Sequence, residues 1–211
     1  HLARALRDVP VLIVALARPE LLDARPTWAG GIRSASSIDL APLGESDCEA
    51  LVAALLSSGD VPPAQLALVL ERAEGNPLFL EEIARALRDG GGLQAVPDSL
   101  QALIAARIDA LAAAEKHLLQ SAALAGRVFW QGALERLAPD LSVSELLDCL
   151  LEREFVTPEE HSTISGDRAF RFKHVLIRDV AYGGMSKQRR AQEHQAFAVW
   201  VEERAPDELA D

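Results

Sequence analysis

Apolar residues recur at helical spacing over most of this chain, and only near its start do they run unbroken. Leu66, Val69, Leu70 and Ala73 stand at i, i+3, i+4 and i+7, which predicts a helix with one buried face. Gly75 follows it where a C-cap needs positive φ, and Pro77 suits the first turn of a second helix, with Glu81 and Glu82 near the favourable end of its dipole. That helix continues to Arg88 and ends in the linker Gly90-Gly91-Gly92. Upstream, Ser46-Asp47-Cys48-Glu49 is a capping box opening a helix with Leu51, Leu55 and Leu56 inward. The unbroken run Val11-Leu12-Ile13-Val14-Ala15-Leu16-Ala17 suits a strand buried on both faces of a parallel sheet, ending in Arg18-Pro19-Glu20. A loop rich in Gly and Ser follows, then a short edge strand at Ile38-Asp39-Leu40.

Past Pro97 the pattern changes. Asp98 caps a helix with Leu100, Leu103, Ile104, Ile108 and Leu111 inward, and further helices are predicted over 115–125, 131–137 and 142–154. Phe155-Val156-Thr157 and Ala169-Phe170-Arg171-Phe172 alternate as strands around a loop with Gly166-Asp167. Helices followed by a β-hairpin predict a winged helix. A helix from Lys173 to Tyr182 comes next, and a last one from Ser186 to Arg204 carries Phe197, Trp200 and Val201 inward, with Lys187, Arg189 and Arg190 on a solvated face.

Charge narrows the function. The 211 residues carry a net charge of −11, so the chain repels nucleic acid and anionic membranes. The helix before the hairpin would enter a DNA groove, yet it bears Glu145, Asp148, Glu152 and Glu154 against Arg153, the wrong sign for phosphate. Direct nucleic-acid contact is therefore not expected. Cys48 and Cys149, far apart in helical patterns, read as reduced, buried thiols of a cytoplasmic protein. No apolar run is long enough to span a bilayer.

Three stretches in this order carry a resemblance: residues 11–20, Glu74-Gly75-Asn76-Pro77-Leu78-Phe79-Leu80-Glu81-Glu82, and Phe170-Arg171-Phe172-Lys173-His174-Val175-Leu176-Ile177-Arg178-Asp179-Val180-Ala181-Tyr182. The chain resembles the downstream part of a STAND-type ATPase module, of the signal-transduction ATPases related to the AAA+ and NB-ARC groups. The nearest form is that of large bacterial regulators in which the module accompanies an adenylate/guanylate cyclase or a LuxR-type DNA-binding domain and tetratricopeptide-like repeats. The resemblance implies a mostly α fragment: residues 1–43 as the last strand and edge of an α/β nucleotide-binding domain, 44–92 as a helical lid, 93–185 as a winged helix, and 186–211 as the first helix of a repeat region.

It also implies roles. Arg18 matches the sensor arginine facing the γ-phosphate; Pro77, its turn held by Gly75 and Asn76, packs near adenine and ribose; His174 approaches the β-phosphate of ADP. Val175 follows His174 where the better-known form of that motif has Asp. The implied cofactors are ATP or ADP with Mg²⁺, and the implied partners an upstream phosphate-loop core and proteins bound through downstream helical repeats. No Gly-x-x-x-x-Gly-Lys-Ser/Thr and no strand ending in acidic residues occurs here, so the phosphate loop and the Mg²⁺-holding Asp are expected before His1, and this stretch alone is not expected to hydrolyse ATP. The alternative is a nucleotide-independent helical interaction scaffold.

Overall fold

The computed structural model describes residues 10–18, 20–28, 35–56, 62–88 and 97–204. Pro19, part of the loop rich in Gly and Ser, and the triple-glycine linker lie outside them. The chain divides into two compact units, His1–Ala41 and Pro42–Asp211.

In the first unit the described residues hold one short helix, α1 (Glu20–Ala24), tied by a hydrogen bond from Leu21 N to the Arg18 carbonyl at 3.0 Å. The expected buried strand at 11–17 is not found: these residues take no regular structure, and Leu12 and Leu16 are 87% and 90% exposed. A central parallel strand needs a hydrogen-bonded neighbour on each side, and no described strand lies in this unit to provide one. The edge strand at 38–40 is coil for the same reason, with Ile38 and Leu40 exposed.

The second unit opens with α2 (Glu45–Leu56), α3 (Pro63–Ala73) and α4 (Pro77–Arg88). Helix α2 starts from Gly44, whose carbonyl accepts from Cys48 N at 2.9 Å, so the expected capping box lies just inside the helix. Its buried residues are Cys48 and Val52, while Leu51, Leu55 and Leu56 are half-buried at the rim. Cys48 and Val52 form one apolar cluster with Val69, Ala73, Phe79, Leu80 and Ile83, closed by Leu103, and Leu51 and Leu56 pack against it.

Leu103 belongs to α5 (Leu100–Asp109), which is capped by Ser99 Oγ accepting from Ala102 N at 3.2 Å rather than by Asp98. Then come α6 (Ala113–Ala125), β1 (Val128–Trp130), α7 (Gln131–Leu137), α8 (Val143–Glu152), β2 (Val156–Glu159), β3 (Ala169–Phe172), α9 (Val175–Gly183) and α10 (Lys187–Arg204). The strands form an antiparallel sheet in the order β1-β3-β2, with Phe129 opposite Phe170 and Val156 opposite Phe172. Strand β1 was not expected from sequence. Three residues are too few for an alternating pattern, and tertiary pairing with β3 makes the strand.

Phe129, Phe170 and Phe172 fill the centre of a second apolar cluster with Leu118, Leu134, Leu147 and Ile177. Each buried side chain of this size contributes about 2–3 kcal/mol of transfer free energy. Helix α10 lies across α6 and α7. Its Trp200 stacks on Phe197 and sits 5.9 Å from the Trp130 ring, while Arg189 donates to Gln120 Oε1 (2.7 Å), the His117 carbonyl (3.0 Å) and Ser121 Oγ (3.0 Å). Arg189 thus pins two helices together, a correction to the solvated face expected for it. Cys48 is buried as expected, whereas Cys149 is only half-buried.

Candidate functional site

The Gly-Asn-Pro turn joins α3 to α4. Glu74 and Gly75 both have positive φ, 49° and 73°, and so reverse the chain. A Cβ at Gly75 would stand 2.7 Å from the Leu43 carbonyl oxygen and 2.7 Å from Pro42 Cβ, and the Gly75 carbonyl accepts from Leu43 N at 2.9 Å. Glycine is therefore required twice, by conformation and by close approach. Asn76 Oδ1 accepts from Leu78 N (3.0 Å) and Phe79 N (3.3 Å), satisfying the first donors of α4, and Pro77 opens the helix without an N–H to leave unpaired. Asn76 and Pro77 face outward.

One turn along α4 lies a charge cluster. Glu82 is fully buried; its Oε1 accepts from Arg85 Nη1 at 2.7 Å and its Oε2 from Arg107 Nη1 of α5. Arg107 also donates to the Arg153 carbonyl at 3.0 Å and lies 4.6 Å above the Phe155 ring. Arg85 reaches Glu154 Oε2 at 2.8 Å and also binds Glu81 Oε1. Glu154, in the turn between α8 and β2, accepts further from Arg88 (2.9 Å) and from Lys173, the residue after β3. Four cations, Arg85, Arg88, Arg107 and Lys173, thus meet three carboxylates, Glu81, Glu82 and Glu154. The cluster ties α4 to α5 and to the hairpin.

His174 joins this cluster. It is the N-cap residue of α9, and its Nε2 stands 3.3 Å from Glu81 Oε2, out of line for a hydrogen bond; among the described residues that buried nitrogen has no hydrogen-bond partner. Lys173 Nζ is 3.6 Å from the other Glu81 oxygen.

The cations set the titration of the acids. The hydrogen bond from Lys173, helped by Arg88 and Arg85 against the opposing effect of burial, lowers the Glu154 carboxyl to about 2. For Glu81 burial acts upward, but the hydrogen bond and charge of Arg85, with Lys173 and His174, outweigh it and lower the carboxyl. Burial likewise opposes the charge of Arg85, yet Glu82, Glu154 and Glu81 raise it.

Of the residues singled out from sequence, Gly75, Asn76 and Pro77 share one turn, and His174 meets the helix which that turn opens. Arg18 is an exposed residue of the first unit. Glu82, Arg107, Glu154 and Lys173 were not anticipated. Only the Glu81/Glu82 to Arg85 spacing, i to i+3 and i+4, was visible in the sequence, because the other pairs join residues far apart along the chain.

No family model matches the chain. An uncharacterized protein of Rhizobium meliloti (strain 1021) is 26% identical to it over 248 residues, covering 99% of this chain and 22% of that relative. The chain therefore spans about a fifth of the length of the relative it matches.

Proposed function

We propose that this chain is the sensor, lid and winged-helix portion of a STAND-type signal-transduction ATPase, whose ATP and ADP states control an attached effector such as a nucleotide cyclase or a transcription regulator. In this reading α2–α4 are the lid, and α5–α9, within residues 93–185, are the winged helix, supported by the order α6, β1, α7, α8, β2, β3 inside it and by the sheet order β1-β3-β2. One observation carries the proposal. His174 Nε2 lies 3.3 Å from Glu81 on the helix that Pro77 opens, so two motifs far apart in sequence are brought to one place.

The residues fit the contacts asked of them. Pro77 offers an exposed ring to a base, and His174, partly exposed and next in the chain to Lys173, offers an imidazole to phosphate oxygens. Arg18, exposed and permanently charged, is assigned to the γ-phosphate. Among the described residues no three His, Cys, Asp or Glu side chains converge on a metal position, so none is assigned to Mg²⁺. Bound ATP would supply the γ-phosphate whose loss distinguishes the two states.

In the complete protein, His174→Ala should loosen ADP and raise the basal output of the effector. Unchanged ADP affinity would refute the assignment.

A nucleotide-independent scaffold is the second reading. It is favoured by Gly75, whose packing on Pro42 and Leu43 gives the turn a structural reason of its own. It requires that removal of Gly75-Asn76-Pro77 cost stability alone, with no change in nucleotide binding. A DNA-reading winged helix is disfavoured because Glu145, Asp148 and Glu152 are all exposed on α8.

A further inference from the structure

His174 has a buried ring nitrogen without a hydrogen bond, and the residue after it, Val175, is 51% exposed and offers no polar group. A buried donor or acceptor left unpaired is costly, so a partner within reach is needed. Among the described residues Glu81 is the carboxylate that faces it, at 3.3 Å from Nε2. Glu81 is already oriented for this. Its Oε1 is taken by Arg85, with Lys173 Nζ at 3.6 Å, which leaves Oε2 toward the imidazole. Lys173 is in turn held by Glu154, so the charged groups around the Glu81 carboxylate are Arg85 from α4, Lys173 just after β3 and, behind both, Glu154.

We propose that Glu81 is the positioning residue of His174: its carboxylate fixes Nε2 and the plane of the ring from another element of the fold. This deepens the nucleotide reading above and rests on it. A small side-chain rotation converts the 3.3 Å approach into a charge-assisted hydrogen bond. With Nε2 held by Glu81, Nδ1 is the ring nitrogen left for a phosphate oxygen. Because Glu81 lies one turn beyond Pro77, displacement of the turn moves the carboxylate and releases the ring. The two motifs are thereby coupled mechanically.

The test has two arms. In the ¹⁵N-labelled chain, long-range ¹H–¹⁵N correlation of the His174 ring reports which nitrogens carry protons, before and after Glu81→Leu. Glu81 is partly exposed, and Arg85 retains Glu82 and Glu154, so the variant keeps the fold; far-UV circular dichroism checks this. The expected result is a moved Nε2 signal, and an unchanged ring spectrum overturns the proposal. In the complete protein, Glu81→Leu and His174→Ala should each weaken ADP about tenfold, and the double variant no further. Independent, additive losses also overturn the coupling. If the ring signal depends on Glu81 while His174→Ala leaves ADP affinity intact, the pairing stands and the nucleotide reading falls.

Discussion

Replacing Gly75 by alanine should be far more costly than the same change at Gly166, and the difference measures how tightly the Gly-Asn-Pro turn is built. Both glycines have positive φ, 73° and 78°, so both variants bear the left-handed penalty of about 1 kcal/mol. At Gly166 nothing lies within 4 Å of an added Cβ, and the cost ends there. At Gly75 the Cβ would meet the Leu43 oxygen and Pro42 Cβ at 2.7 Å and Leu43 N at 3.0 Å. Two of these are backbone atoms that cannot swing aside, so the turn must lift from residues 42–43. That adds about 1–3 kcal/mol of overpacking, with about 1 kcal/mol more if the Leu43 N to Gly75 carbonyl hydrogen bond is lost. The sum is about 3–5 kcal/mol for Gly75→Ala against about 1 for Gly166→Ala. Urea unfolding followed by far-UV circular dichroism reads both. Equal unfolding free energies for the two variants, to within about 0.5 kcal/mol, would show that the turn yields freely and would refute the argument.

Other perturbations probe the charge cluster and the last helix. Glu82→Ala leaves Arg85 and Arg107 buried without their shared anion and should cost about 3–5 kcal/mol, whereas Glu145→Ala, exposed on α8, should stay within about 0.5; similar urea midpoints would contradict the burial argument. Glu154 has its carboxyl lowered from 4.5 to about 2, so its contribution is complete above pH 4.5 and is lost as pH falls toward 2. The full gap sets a ceiling of about 3 kcal/mol, and exposure of a third of the side chain reduces it to about 1–2. Glu154→Gln should accordingly flatten the acid limb of a stability against pH curve, and an unaltered limb rejects the assignment. Arg189→Ala removes the bonds from α10 to Gln120, Ser121 and the His117 carbonyl, and should speed amide exchange in α10 by roughly tenfold or more; exchange confined to its frayed end would count against this role.

Local rules carried far in this chain. The stripe Leu66, Val69, Leu70, Ala73 with Gly75 and Pro77 placed one helix end and the next start, because caps are encoded by adjacent residues. The hairpin was legible from the alternation of Ala169-Phe170-Arg171-Phe172. What failed depended on distant partners. The run at 11–17 has the composition of a buried strand, but composition does not supply the neighbours that make one. Strand β1 is the converse, three residues made into a strand by β3. In the candidate site, Asn76 and His174 could be picked out singly, whereas the pairing of Glu82 with Arg107, or of Glu154 with Arg85, spans loops whose course no local rule fixes. Glu81 and Glu82 read as dipole-complementing residues, and in the structure they also hold Lys173 and Arg107 from other elements.

Glu154 occupies a backbone position with φ of 57°, where a side chain bearing a Cβ is disfavoured by about 1–2 kcal/mol and glycine or asparagine would sit at ease. A glutamate there is a choice against local comfort, and what it secures is the grip on Arg85, Arg88 and Lys173. The position is therefore diagnostic across descent. Relatives that keep the acid should keep Arg88 and Lys173, and those that have drifted to glycine should have lost these two together, Arg85 being held by Glu82 as well. A single column of an alignment would then mark which lineages still bind the first helices to the hairpin.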